Sequence, residues 1–120
     1  MAPSLEAEIA ALPMFRRLAP ADRVGLAALT RRVELDRGAV LFRQGDAPES
    51  LWIVVAGRVK VVKASPNGRE LILDLLGPGD PVGAVAVFEG FPYPATALAQ
   101  VPAICVEIER RGFLELLDSH

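Results

Sequence analysis

The chain is short of the residues on which most enzyme and cofactor chemistry depends. Its 120 residues include one cysteine, Cys105, and one histidine, His120. A single cysteine forms no internal disulfide and gives no zinc or iron–sulfur spacing, which fits a reducing cytoplasm. A single histidine cannot furnish the several imidazoles of a cupin-type metal site, nor a Ser–His or Cys–His pair for nucleophilic catalysis. No metal site and no enzymatic activity are therefore expected. Positive charge is also scarce, since 13 Lys and Arg against 15 Asp and Glu leave a net charge of −2. The pairs Arg16–Arg17, Arg31–Arg32 and Arg110–Arg111 are far apart and build no basic block. They read as solvated ends of elements, and direct nucleic-acid binding by this chain is not expected. The N-terminus carries Glu6 and Glu8 where a targeting segment would carry bases, and no apolar run reaches membrane-spanning length. A cytoplasmic location without a membrane partner follows as the expectation.

Apolar residues, glycine and proline are plentiful. Hydrophobic residues make up 52% of the chain, with ten glycines and ten prolines. A single domain of this length buries roughly two-thirds of its unfolded surface, and the composition supplies enough apolar material to do so. Leu5, Ile9 and Leu12 share one face of a helix predicted over 5–12. Pro20 suits the first position of a second helix, Ala21 to about Thr30. Beyond Arg31 the pattern changes to short β-rich runs at 33–36, 39–43, 50–56, 58–64, 70–76, 96–100 and 103–108. Gly- and Asn-Gly-rich breaks separate them, among them Pro66-Asn67-Gly68 and Gly77-Pro78-Gly79-Asp80. Seven such runs without crossover helices predict an antiparallel sandwich or barrel. Phe113, Leu116 and Leu117 then mark one face of a closing helix over about 110–118. One domain over 1–120 is expected, with helices over about 5–30 and the barrel over about 33–108.

The strand LILDLL (71–76) runs into Gly77, Gly79 and Gly83, superficially a dinucleotide-binding turn. The spacing is not G-x-G-x-x-G, Pro78 and Pro81 interrupt it, and no strand–helix–strand unit surrounds it. Pro78-Gly79 at the centre of a type II turn accounts for the first glycines.

Several stretches together carry a family resemblance: Arg37 to Asp46 (RGAVLFRQGD), Leu51 to Val59 (LWIVVAGRV), Asn67 to Leu73 (NGRELIL), Gly77 to Asp80, Gly83, and Ile108 to Phe113 (IERRGF). In their order and spacing they resemble the cyclic-nucleotide-binding domain of bacterial transcription regulators related to the catabolite activator and the fumarate-nitrate regulator (CRP/FNR). The resemblance implies a mainly β fold, an antiparallel jelly-roll barrel with flanking N- and C-terminal helices. It also implies a phosphate-binding cassette, a short helix and loop whose glutamate and arginine hold the ribose and the cyclic phosphate. On that pattern the ligand-binding positions are Gly83, Ala84, Val85, Ala86, Tyr93, Pro94, Ala95 and Thr96, with Leu73 and Asp74 lining the pocket. Gly83 keeps the glycine, but Ala84 stands at the glutamate position and Tyr93 at the arginine position.

The cassette is thus expected to be degenerate and ordinary cyclic AMP binding disfavoured, because a charge-assisted bond is worth about 1.5–3 kcal/mol. Tyr93 reads either as a ligand gate or donor or as a cap on the barrel mouth. Thr96 reads as a ligand donor or an ordinary strand residue, and Asp74 as facing the pocket or solvent. Trp52 and Cys105 read as core. Some relatives sense gases through haem, for which Cys105, Met14 and His120 are the only candidate ligands; haem is disfavoured and the cofactor stays unassigned. The family's full-length regulators continue into a dimerisation helix and a helix-turn-helix domain, which 1–120 lacks. A small-molecule effector and a homodimer in a longer parent are the implied partners. The alternatives are a free-standing pseudo-receptor used for dimerisation or protein contacts, or a haem-based gas sensor.

Overall fold

The computed structural model describes residues 4–118. Two helices and a 3-10 turn precede the sheets: α1 (Leu5–Ala11), the turn Pro13–Phe15 and α2 (Pro20–Ala28). Ser4 caps α1 by accepting from the Ala7 N–H at 3.1 Å, and Pro20 opens α2 where its missing N–H costs nothing. The second helix is shorter than the sequence predicts. It stops at Ala28 because Thr30 already pairs with Ile108 as the first residue of a strand. The Thr30 hydroxyl donates back to the Leu26 carbonyl at 2.6 Å and closes the helix end.

Eight strands follow: β1 (Thr30–Leu35), β2 (Val40–Phe42), β3 (Ser50–Ala56), β4 (Val59–Ala64), β5 (Glu70–Leu76), β6 (Pro81–Val82), β7 (Thr96–Ala99) and β8 (Ala103–Glu109). They form two antiparallel four-stranded sheets, ordered β1-β8-β3-β6 and β2-β7-β4-β5. This is the expected jelly-roll arrangement, with strand structure reaching from residue 30 to 109 rather than 33 to 108. β6 escapes a reading of the sequence because it is two residues long and begins with a proline, which is confined to edges and strand starts. Here it is the edge of its sheet, where Pro81 needs no ladder donor.

The core lies between the sheets and continues under the helices. Leu51, Ile53, Val54, Val59, Val106 and Ile108 are fully buried, and Ile9 and Leu26 extend the cluster to α1 and α2. Trp52 and Cys105 belong to it, as their sequence context suggests. Burial pushes the Cys105 thiol up to about 11. The turn between β3 and β4 depends on Gly57, where φ is +85° and an added Cβ would lie 2.4 Å from the Pro102 carbonyl oxygen. No other residue fits there.

The chain closes with α3 (Ala84–Glu89), set between β6 and β7, and α4 (Arg110–Asp118) after β8. Phe113 of α4 is buried edge-on against Phe15 at a centroid distance of 6.1 Å. Of the arginine pairs read as solvated ends, two are engaged. Arg31 pairs with Glu107 at 2.6 Å, and Arg32 bridges Glu8 and Glu34. Arg110 corrects that reading most clearly. Its Nε donates to the Val87 carbonyl at 2.7 Å and ties the end of α3 to the start of α4.

Candidate functional site

The glycine-rich approach to α3 folds as a sequence of turns. Gly79 has φ +90° and the Asp80 N–H donates to the Gly77 carbonyl at 3.0 Å, the bond of the predicted turn. Asp80 in turn accepts from the Gly77 N–H at 2.9 Å. The chain then passes through β6 into Gly83, where φ is +76°, and begins α3.

A cleft of about 420 Å³ opens beside this segment. Gly83, Ala84, Val85 and Ala86 line one side of it, and Pro94 and Ala95 also line it. Leu73 and Asp74 of β5 line it as well. Four more lining residues, Phe42, Val61, Leu76 and Pro81, were not anticipated. Val61 and Leu76 had a signal in strand alternation, since Val61 stands opposite Asp74 in the β4–β5 ladder and Leu76 lies two residues beyond it. Phe42 had none, because its position depends on how the two sheets close.

Tyr93 and Thr96 are not among the residues lining the cleft. Tyr93 is 3% exposed, and its ring stacks on Phe42 at a centroid distance of 3.7 Å and an interplanar angle of 10°. Its hydroxyl donates to the Ser50 carbonyl of β3, so the side chain reaches across to the opposite sheet. Its backbone is fixed as well: the Gly45 N–H donates to its carbonyl at 2.8 Å, and its own N–H donates to the Asp46 carbonyl at 3.0 Å. Gly83 must be glycine for the same reason, because a Cβ there would meet the tyrosine ring at 2.7 Å. Burial raises the Tyr93 pKa above 10.0, the Ser50 N–H, which donates to the phenol oxygen at 3.4 Å, opposes that, and Glu107, Glu49 and Asp46 add to it. The phenol stays protonated and donating at neutral pH. Thr96 accepts from the Gln44 N–H at 3.0 Å, which anchors the β2–β3 loop.

The charge balance of the cleft is simple. Among the described residues, Asp74 is the one charged residue lining it and no lysine, arginine or histidine does; one Asp74 carboxylate oxygen accepts from the adjacent Leu75 N–H at 2.9 Å. Arg58 and Arg69 do not reach it, and Lys60 is held by Glu70 at 2.6 Å. α3 is six residues long, so it offers little helix dipole to substitute for a base.

The model of the cyclic nucleotide-binding domain matches residues 32–120. The chain belongs to the cyclic nucleotide-binding domain family. Among curated relatives it is 33% identical over 87 residues to a CRP-like cAMP-activated global transcriptional regulator of Mycobacterium tuberculosis, covering 68% of this chain and 39% of that protein. It is 35% identical over 111 residues to the acetyltransferase Pat of Mycolicibacterium smegmatis, covering 92% of this chain and 33% of that protein. Among solved structures it resembles the sensor domain of the transcriptional regulator DNR from Pseudomonas aeruginosa. That match has a TM-score of 0.84 and 28% identity over 94% of this chain and 76% of the other. The cyclic nucleotide-binding domain thus occurs both in regulators and, in the case of Pat, in a protein named as an enzyme. This chain spans well under half the length of either curated relative.

Of the haem candidates, Cys105 and Met14 do not converge. Cys105 sits in the inter-sheet core, whereas Met14 lines an apolar groove between the N-terminal elements and α4. His120 lies outside the described residues. Among the described residues no group of three His, Cys, Asp or Glu is placed to hold a metal, and no helix is long and apolar enough to cross a membrane.

Proposed function

We propose that this chain is the effector-sensing domain of a CRP/FNR-type transcription regulator whose cassette does not grip cyclic AMP in the usual way. The observation that carries the reading is that, among the described residues, no basic side chain lines the cleft, with Tyr93 committed to Ser50 at the arginine position. A cyclic phosphate placed against Ala84 and Val85 would lose its water without gaining a cation. An unpaired buried charge costs several kcal/mol, roughly the whole of a micromolar affinity when the bond itself is also missing. The residues present therefore do not fit a nucleotide held by the family's anchors.

The same domain offers a route for output. Arg110 joins α3 to α4, and Phe88 of α3 packs against Phe113 of α4 at 5.9 Å. A ligand that shifts α3 would be felt at α4, where a dimerisation helix would continue in a longer parent. A second reading, a pseudo-receptor used for dimerisation, is favoured by β5. This edge strand exposes Leu71, Ile72, Leu73 and Leu75 on its two faces, apolar surface suited to a covering helix or second copy. Titration calorimetry against cyclic AMP, cyclic GMP and cyclic di-GMP tests the first proposal. No binding tighter than millimolar is expected, and micromolar binding of any of them would refute it.

A further inference from the structure

The cleft beside α3 has a chemistry of its own, which its walls and its one charge define. Its walls are methyl and methylene surface from Val61, Leu76, Ala84, Val85 and Ala86, together with the Phe42 ring. At about 420 Å³ it falls within the range of small-molecule sites. Val85 is 66% exposed and Leu73 49%, so the lip of the cleft is apolar too. A surface of this kind gains free energy by covering hydrocarbon, roughly 25 cal/mol per Å².

Asp74 supplies the direction. It interrupts the otherwise apolar run of β5, and only one of its carboxylate oxygens is taken up by the Leu75 N–H. Among the described residues it forms no salt bridge, and the lysine nearest in the ladder, Lys60, is held by Glu70. The remaining elements around the cleft present no cation to it: β6 is Pro81–Val82, α3 carries only Glu89, and β7 is wholly uncharged. A ligand here meets an acceptor and negative potential at one edge and hydrocarbon elsewhere. We propose that the cleft binds a small, largely apolar molecule bearing one N–H donor, an amine or a heterocyclic N–H, directed at Asp74, and that it discriminates against anions. This rests on the reading of the domain as an effector sensor and names the class of its effector.

The test uses three probes of one size with the full 120-residue chain: 1-naphthylmethylamine, 1-naphthalenemethanol and 1-naphthoate, alongside cyclic AMP. Affinities come from titrations followed by ¹H–¹⁵N chemical shifts, which also locate the site. The amine is expected to bind at least about tenfold more tightly than the carboxylate, with the alcohol between, as the charge on Asp74 requires. Shifts are expected at Leu73, Asp74 and Val85 and not at Met14 or Leu117, which line the separate apolar groove. Asp74→Asn, a substitution at an exposed position, is expected to bring the amine down to the alcohol. Val85→Asp is expected to weaken the alcohol and Met14→Asp to leave it unchanged.

Equal or tighter binding of naphthoate, failure of all three probes at millimolar concentration, or shifts confined to the Met14 groove would each overturn the inference. Those outcomes leave the reading against cyclic AMP intact so long as cyclic AMP itself stays silent. Micromolar binding of cyclic AMP would bring down both.

Discussion

Replacing Tyr93 by phenylalanine separates a structural tyrosine from a ligand-facing one. The substitution keeps the ring, its stacking on Phe42 and its contact beneath Gly83, so the apolar burial is unchanged. It removes one atom, the hydroxyl that donates to the Ser50 carbonyl across the barrel. Leaving that carbonyl without its donor costs about 1–2 kcal/mol. For a chain of this length the entropy of unfolding is about 0.25 kcal/mol/K, so the melting temperature falls by roughly 4–8 °C. Urea unfolding followed by tryptophan fluorescence reads the same loss as a shifted midpoint at constant slope.

The pH dependence gives a second handle on the same substitution. Because the folded pKa of Tyr93 is raised above 10.0, the unfolded chain loses this proton first. The contribution is therefore fully present below pH 10 and disappears as pH climbs through the folded pKa. The wild-type chain is expected to lose stability over that alkaline range faster than Tyr93→Phe. A variant as stable as the wild type, with the same alkaline profile, would show that the hydroxyl is not bound across the sheets.

Gly83→Ala is expected to cost about 2–4 kcal/mol in urea unfolding, from the left-handed backbone together with overpacking against the tyrosine ring. Tyr93→Arg should lose more, about 3–5 kcal/mol, because it either buries a charge or leaves a hole beside Phe42. Arg110→Ala removes the bond to the Val87 carbonyl, and amide exchange in α3 should quicken while β8 keeps its protection. Cys105, fully buried and with its thiol near 11, should react with a thiol reagent at pH 8 only as fast as the domain opens.

Much of this architecture is legible in the order of the residues. The turns are readable because glycine marks positions where only positive φ will serve, as at Gly57 and Gly79. The sheets are readable because β-rich runs fall between those turns. What escapes is set by long-range closure. β6 carries two residues and no periodicity, and α2 ends early because β8 captures Thr30. At the site, the positions 83–86 are implied by the family resemblance, and the sequence leaves Asp74 open between pocket and solvent. The inward turn of Tyr93 follows from neither. Two flanking prolines restrict its backbone, but its hydroxyl finds Ser50 only because β3 lies across the barrel, 43 residues away. Phe42 enters the cleft for the same reason.

Tyr93 also explains why the cleft has the chemistry it does. An arginine at this position carries charge on a flexible stem and must point to solvent or to an anion. A tyrosine is stabilised by turning the other way, where its ring is buried and its hydroxyl has a single acceptor. Once the ring stacks on Phe42, the backbone of 93–95 is drawn against the β2–β3 loop through Gly45 and Asp46. Pro94 and Ala95 are then the residues left facing the cleft. The commitment of Tyr93 to Ser50 and the apolar wall of Pro94 and Ala95 thus go together, and Ala84 adds methyl surface opposite them. On the proposed reading, such a surface would select ligands by hydrocarbon contact and by Asp74.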